Sequence, residues 1–181
     1  KPTFVRDDGS YVVARQIRTP EHAGFPIHVV DSSGGVVRSF GAETPQFRPD
    51  LRLVLDRLVA PGPAGTVWAM PPGRYRVERW DPETARLLES FDVPSAWFRQ
   101  GGRSEDERVR PNSVVESLWE RDGFLWVLTR DADAGWQPPR EPNTERPFLL
   151  DEYDRTYDWV LDVIDVRRRR VIATRRFTNA H

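Results

Sequence analysis

The sequence predicts an all-β chain assembled from three repeats of a four-stranded antiparallel unit. Three observations predict it. The first is composition. Of 181 residues, 20 are Val against 4 Ile, and aromatics reach 11% with 7 Trp. Val and aromatic side chains suit a pleated, half-buried surface. The second is punctuation: 16 Pro and 12 Gly supply frequent turns and leave few uninterrupted helices. The third is self-similarity at a nearly fixed period, which decides the fold class before any single element does.

The first unit runs Asp8-Gly9-Ser10-Tyr11-Val12-Val13, then Ile27-His28-Val29-Val30-Asp31, then Gly35-Val36-Val37-Arg38-Ser39-Phe40. Only Phe4-Val5-Arg6 is available as its opening strand. The second opens with Leu53–Val59, turns at Gly65 into Val67-Trp68-Ala69, and continues with Tyr75–Asp81 and Arg86–Phe91. The third opens with Val114–Trp119, turns at Asp122-Gly123 into Phe124-Leu125-Trp126-Val127, and ends with Val160–Asp165 and Val171–Phe177. Gly9, Gly65 and Gly123 are 56 and 58 residues apart. Asp31, Asp81 and Asp165 each close a third strand, where a carboxylate caps the turn that follows. Asp81-Pro82-Glu83-Thr84-Ala85-Arg86-Leu87-Leu88-Glu89 also fits a capped helix. Its alignment with Asp31–Gly35 favours a hairpin turn, with Ala85 where the first unit has Gly35.

Four short antiparallel strands recurring every 40 to 60 residues are the pattern of a β-propeller blade. The predicted blades span 4–41, 53–93 and 114–177, with an insertion at 130–159 in the third. Three blades fall short of the roughly four to eight that close a ring. The expectation is an incomplete ring, completed by further blades of the same chain or by a second copy. The chain opens Lys1-Pro2-Thr3-Phe4 without Met, which fits an excerpt of a longer protein or a processed start.

Trp80-Asp81-Pro82-Glu83-Thr84 and Asp122-Gly123-Phe124-Leu125-Trp126-Val127 resemble the six-bladed β-propellers of bacteria, distantly similar to the NHL-repeat and SMP-30-like groups. That resemblance implies a binding or interaction module, periplasmic or extracellular, with a protein, small-molecule or carbohydrate ligand. It also implies an alternative, a metal-dependent hydrolase or lactonase with its site in the central channel. Such sites need Glu, Asn and Asp converging on the axis. The chain has three Asn (Asn112, Asn143 and Asn179), none in a predicted strand.

Composition narrows the functional classes. Lys+Arg 27 against Asp+Glu 28 gives net charge −1 and no general attraction to nucleic acid. No apolar run approaches the roughly 18 residues of a membrane helix. The chain has no cysteine, which removes disulfides, thiolate metal sites and cysteine nucleophiles. His22, His28 and His181 are too scattered for a histidine metal site. No Gly-x-Ser-x-Gly elbow, phosphate loop or dinucleotide motif occurs. Asp131, Asp133 and Gly135 open like a calcium loop, but its twelfth position falls on Pro142. No catalytic residue, metal ligand or cofactor is therefore assigned. His28 reads as a sheet residue, with a catalytic base paired to Asp31 as the sharper alternative. Arg167–Arg170 reads as an exposed hairpin tip.

The insertion is the most unusual segment, since the corresponding links are about twelve and four residues in the other units. It carries Trp136, Tyr153, Tyr157 and Trp159 together with Glu141, Glu145, Asp151, Glu152, Asp154 and Asp158. Aromatic rings over a rim, with acids to bond hydroxyls, make these four aromatics the candidate ligand contacts. The competing expectation is a structural lid packed on its own sheets. Trp97-Phe98 and Phe47 are expected to tuck between units.

Overall fold

The computed structural model describes residues 3–42, 56–101, 109–138 and 156–178. Among these residues, twelve strands form three four-stranded sheets, each a simple antiparallel meander in chain order. The first sheet holds β1 (Thr3–Val5), β2 (Tyr11–Ala14), β3 (Ile27–Val30) and β4 (Val36–Phe40). The second holds β5 (Leu58–Pro61), β6 (Val67–Met70), β7 (Arg76–Asp81) and β8 (Arg86–Asp92). The third holds β9 (Val114–Arg121), β10 (Phe124–Ala132), β11 (Tyr157–Asp165) and β12 (Arg170–Phe177). The opening strands lie side by side, β1 against β5 and β5 against β9. This is the arrangement of three consecutive propeller blades in an open ring.

The turns follow from their residues. Gly9, Gly65 and Gly123 all take positive φ, at 81°, 75° and 81°, where a side chain is disfavoured. Asp31 Oδ1 accepts from the Ser33 and Gly35 amides at 2.9 and 2.8 Å. Asp81 Oδ1 accepts from the Glu83 amide at 2.8 Å, and Asp165 Oδ1 from the Arg167 amide at 3.0 Å. The Ser33 hydroxyl and the local amides hold the Asp31 carboxyl below its ordinary value. Residues 82–85 form a turn, as the hairpin alignment predicts. The left-handed residue comes four positions after the Asp in two units, at Ala85 (φ 57°) and Arg169 (φ 53°). In the first unit it comes at Gly34, three positions after Asp31.

Three strand boundaries differ from the sequence reading by more than two residues. β5 starts at Leu58, later than the predicted Leu53–Val59 run, of which residues 53–55 lie outside the described set. It runs through Pro61, which an opening strand tolerates on its unpaired side. β10 and β11 also extend into the predicted insertion, pairing Arg130 with Trp159, Asp131 with Asp158 and Ala132 with Tyr157. The link between them is therefore 133–156.

Each sheet has two faces: the front of the first two meets the following sheet, and the back of the last two meets the preceding one. Strand alternation sends side chains to the two faces in turn. In β6, Val67 and Ala69 point back into a core with Val12, Ala14, Ile27, Val29 and Phe40. Trp68 and Met70 point forward into a second core with Leu125, Val127 and Ile164. All four β6 residues are buried. Phe98 joins the second core with Trp97 packed against it, as expected, and Phe98 stacks on Tyr75 at 4.7 Å. Phe47 lies outside the described residues.

At one shared register each back face buries a polar residue: His28, Glu78 and Asp162. His28 Nε2 faces the Arg15 carbonyl at 2.9 Å, so in the neutral ring Nε2 carries the hydrogen. Nδ1 then accepts from the Ser39 hydroxyl at 2.7 Å, and Ser39 Oγ accepts from His22 Nδ1 at 2.9 Å. Asp31 caps its own turn instead, so the His28–Asp31 pairing is not formed. Glu78 accepts from Arg57 Nε and Trp80 Nε1, both at 3.0 Å. Asp162 accepts from the Thr174 hydroxyl at 2.6 Å and from the Tyr75 hydroxyl of the second sheet's loop.

Met70→Ala should cost about 2–5 kcal/mol, because Met70 is fully buried between the second and third sheets. Urea unfolding checks this: the midpoint falls with the slope unchanged. Burial lowers the His28 pKa below 6.5, so the folded state binds its proton less readily than the unfolded chain. That stability is complete above 6.5 and declines as pH falls toward the lowered value. Melting temperature should drop on going from about pH 7.5 to 5. His28→Gln should flatten this slope.

Candidate functional site

The front face of the third sheet is the candidate site, and strand alternation builds it. Counting from the turn glycines, Val12, Trp68 and Trp126 occupy one position. Val12 is 0% and Trp68 2% exposed, each covered by the sheet that follows. Trp126 stands on a sheet that no following sheet among the described residues covers. It points the same way as Leu128 from β10 and as Trp159, Leu161 and Val163 from β11. Trp119, cross-strand from Trp126 on β9, stacks on it with centroids 6.2 Å apart and planes at 14°, and is itself 38% exposed.

Cations flank this apolar strip. Arg130 pairs with Glu116 at 2.9 Å and lies over the Tyr157 ring at 4.7 Å. Arg175 lies over Phe177 at 5.1 Å. An aromatic surface with guanidinium groups at its margin offers broad apolar contact and few exposed charges, the composition of a protein interface core.

The four sequence candidates separate. Tyr157 and Trp159 stand on β11 and share this face, both partly buried. Trp136 follows the end of β10, where its amide donates to the Asp133 carbonyl at 3.0 Å. Tyr153 lies outside the described residues. The strand pattern accounts for Trp119, Trp126 and Leu161 without marking them as a site, and Leu128 lies just past its predicted strand. Their alignment with Val12 and Trp68 carries the signal that marks them as site residues.

The opposite face of the same sheet holds a buried ionic group. Arg176 donates to Asp131 Oδ2 at 2.6 Å and to Asp158 Oδ2 at 2.8 Å. Ser113 Oγ donates to Asp131 Oδ1 at 2.7 Å and accepts from the Arg99 amide at 2.9 Å. Burial opposes the Arg176 charge, but its two carboxylate partners outweigh that and raise its pKa above the ordinary value. Both Asp131 oxygens are thus engaged within the protein, unlike an opening calcium ligand. The Asp133 amide donates to the Thr156 carbonyl at 2.9 Å, and Arg110 Nη2 reaches the Ala132 and Asp133 carbonyls at 3.3 and 3.2 Å. These bonds fasten the root of the link. Among the described residues, no group of three His, Asp or Glu side chains is placed to hold a metal ion. At the hairpin tip, Arg168 pairs with Asp165 at 3.2 Å and Arg169 with Glu89 at 3.8 Å.

No protein-family model matches the chain, and no curated protein does. Among solved structures it is similar to the crystal structure of the Myceliophteria thermophila Cps50 (Swd1) β-propeller domain, with 12% identity and a TM-score of 0.39. The match covers 95% of this chain and 52% of that one, so this chain spans about half its length.

Arg176→Met should cost about 3 kcal/mol or more, since it leaves Asp131 and Asp158 buried without their cation. Arg167→Met, at the exposed turn, should change stability by no more than about 0.5 kcal/mol. Paired urea titrations of the two variants check the contrast.

Proposed function

We propose that this chain is a propeller-type protein-interaction module that uses the front face of its third sheet, and that its partner presents a β-sheet face. One observation carries the reading. Trp126 occupies the register that Val12 and Trp68 bury against a following sheet, and its neighbours Trp119, Leu128, Trp159 and Leu161 are apolar. A surface of that composition is stabilised by packing against another sheet, as the two observed joints are. Tyr157 and Trp159, the sequence's candidate ligand contacts, are part of a protein interface on this reading. Trp136 and Tyr153 remain proposed contacts for a ligand. No observation favours the metal-dependent hydrolase reading.

A photo-crosslinking residue at position 126, introduced in cells that make the chain, tests the proposal. Covalent adducts with polypeptide should form at position 126 and not at Arg121, which is exposed at the strand end. Equal labelling at both positions, or none at 126, would count against a specific interface.

A further inference from the structure

We infer that the third sheet's back face binds one internal water, held between the Thr129 hydroxyl and the Asp158 carboxylate. The site is independent of the interface reading, since both residues are completely buried.

Strand register brings the two side chains together. Thr129 of β10 stands opposite Val160 of β11, and Asp131 stands opposite Asp158. Alternation puts Leu125, Val127, Thr129 and Asp131 on the back face from β10, with Asp158 and Val160 beside them on β11. Leu125, Val127 and Val160 are apolar and buried there. Thr129 continues the same column, where a valine of nearly equal shape would fit. Burying a hydroxyl without a partner opposes folding, so Thr in place of Val calls for a bond.

That bond is not made within the protein. Among the described residues, neither Thr129 Oγ1 nor Asp158 Oδ1 has a hydrogen-bond partner, and both atoms are shut off from bulk solvent. The other oxygens of the group are engaged: Arg176 donates to Asp158 Oδ2 and Asp131 Oδ2, and Ser113 donates to Asp131 Oδ1. The two orphans are complementary, a hydroxyl that donates and accepts beside a carboxylate oxygen that accepts. They project from diagonal positions of the β10–β11 pair, a placement that separates strand positions by roughly 7–8 Å. Two short side chains close part of that distance but do not meet. One water spans the remainder, donating to Asp158 Oδ1 and accepting from Thr129 Oγ1 at about 2.8 Å each. A bulge in the β9–β10 pairing falls at Leu128–Thr129 and loosens the ladder there, which gives the water room. Buried waters characteristically bridge polar groups that the protein leaves unsatisfied. Here the water completes the bonding of a carboxylate that anchors Arg176.

A high-resolution crystal structure of the chain should show solvent density within about 2.6–3.2 Å of both Thr129 Oγ1 and Asp158 Oδ1. Three results overturn the water: no density there, density bonded to one of the two atoms only, or contacts of about 2.0–2.5 Å that mark a metal ion. Thr129→Val supplies a second readout, and its sign decides, because valine keeps the shape and removes the hydroxyl. With the water in place, the substitution takes away the group that holds it and leaves Asp158 Oδ1 without a fixed donor. The unfolding equilibrium constant from urea titrations should then rise about tenfold. An unbonded hydroxyl predicts the opposite, a midpoint that stays or climbs, and that result also overturns the inference. Where the variant fails to fold, the density of the unaltered chain decides alone.

Discussion

Everything in this fold depends on covering both faces of a sheet whose strands are apolar on both. β6 states the constraint most sharply: Val67, Trp68, Ala69 and Met70 are consecutive and all buried. An isolated four-stranded sheet with such a strand would leave half of that apolar area in water, at roughly 25 cal/mol for every Å². Antiparallel meanders offer no helix to cover it, so the cover must be another sheet. Stacking in series follows, and each joint creates the same demand one sheet further on. Among the described residues, the first and third sheets are the end members of that series.

Apolar packing alone would allow neighbouring sheets to slide, because Val and Leu fit many offsets. A buried polar residue removes that freedom at the joint between the second and third sheets, where Tyr75 donates to Asp162. His28, Glu78 and Asp162 occupy equivalent positions, and burying any of them without a partner would cost on the order of 2 kcal/mol or more. Each finds a partner outside its own strand pairing: the Arg15 carbonyl, the Arg57 guanidinium and the Tyr75 hydroxyl. The Tyr75–Asp162 bond crosses from one sheet to the next, so it sets their relative position as well as satisfying the carboxylate. Burial, followed by the adjacent Asp162, pushes the Tyr75 hydroxyl's pKa upward, which keeps the phenol protonated and donating.

Local rules in the sequence specify much of this. The repeat period, the three turn glycines and the strand-end aspartates are each decided within a few residues, and their positions match the structure. The choice of a turn over a helix at residues 82–85 came from alignment with the first unit, which outweighed the helix-forming residues that follow. What escaped is nonlocal. Arg176 read as one of many arginines, yet it binds Asp131, 45 residues away, and Asp158. Asp131 and Asp158 looked like loop acids because charges interrupt a strand pattern. Their pairing across β10 and β11, with Arg176 between them, is what lets both strands continue. The front and back assignment of Trp126 was also within reach, since it needs only the count from Gly123. It carries meaning only once the cores show which faces Val12 and Trp68 bury.

The same geometry separates the two routes by which exposed sheets associate. Edge pairing would use the outermost strands, and these carry charge: Arg86, Glu89 and Asp92 on β8, and Arg170, Arg175 and Arg176 on β12. Long charged side chains on an edge oppose strand addition. The open faces of the end sheets are built differently, with Trp119, Trp126 and Leu128 at one end and Val5 and Tyr11 at the other. Charge is placed where pairing would be indiscriminate, since any strand can add to an edge through its backbone. Apolar side chains are placed where fit depends on shape and register. A chain arranged this way disfavours open-ended strand addition while keeping face-to-face packing available, and only a surface with the matching alternation can make that packing well.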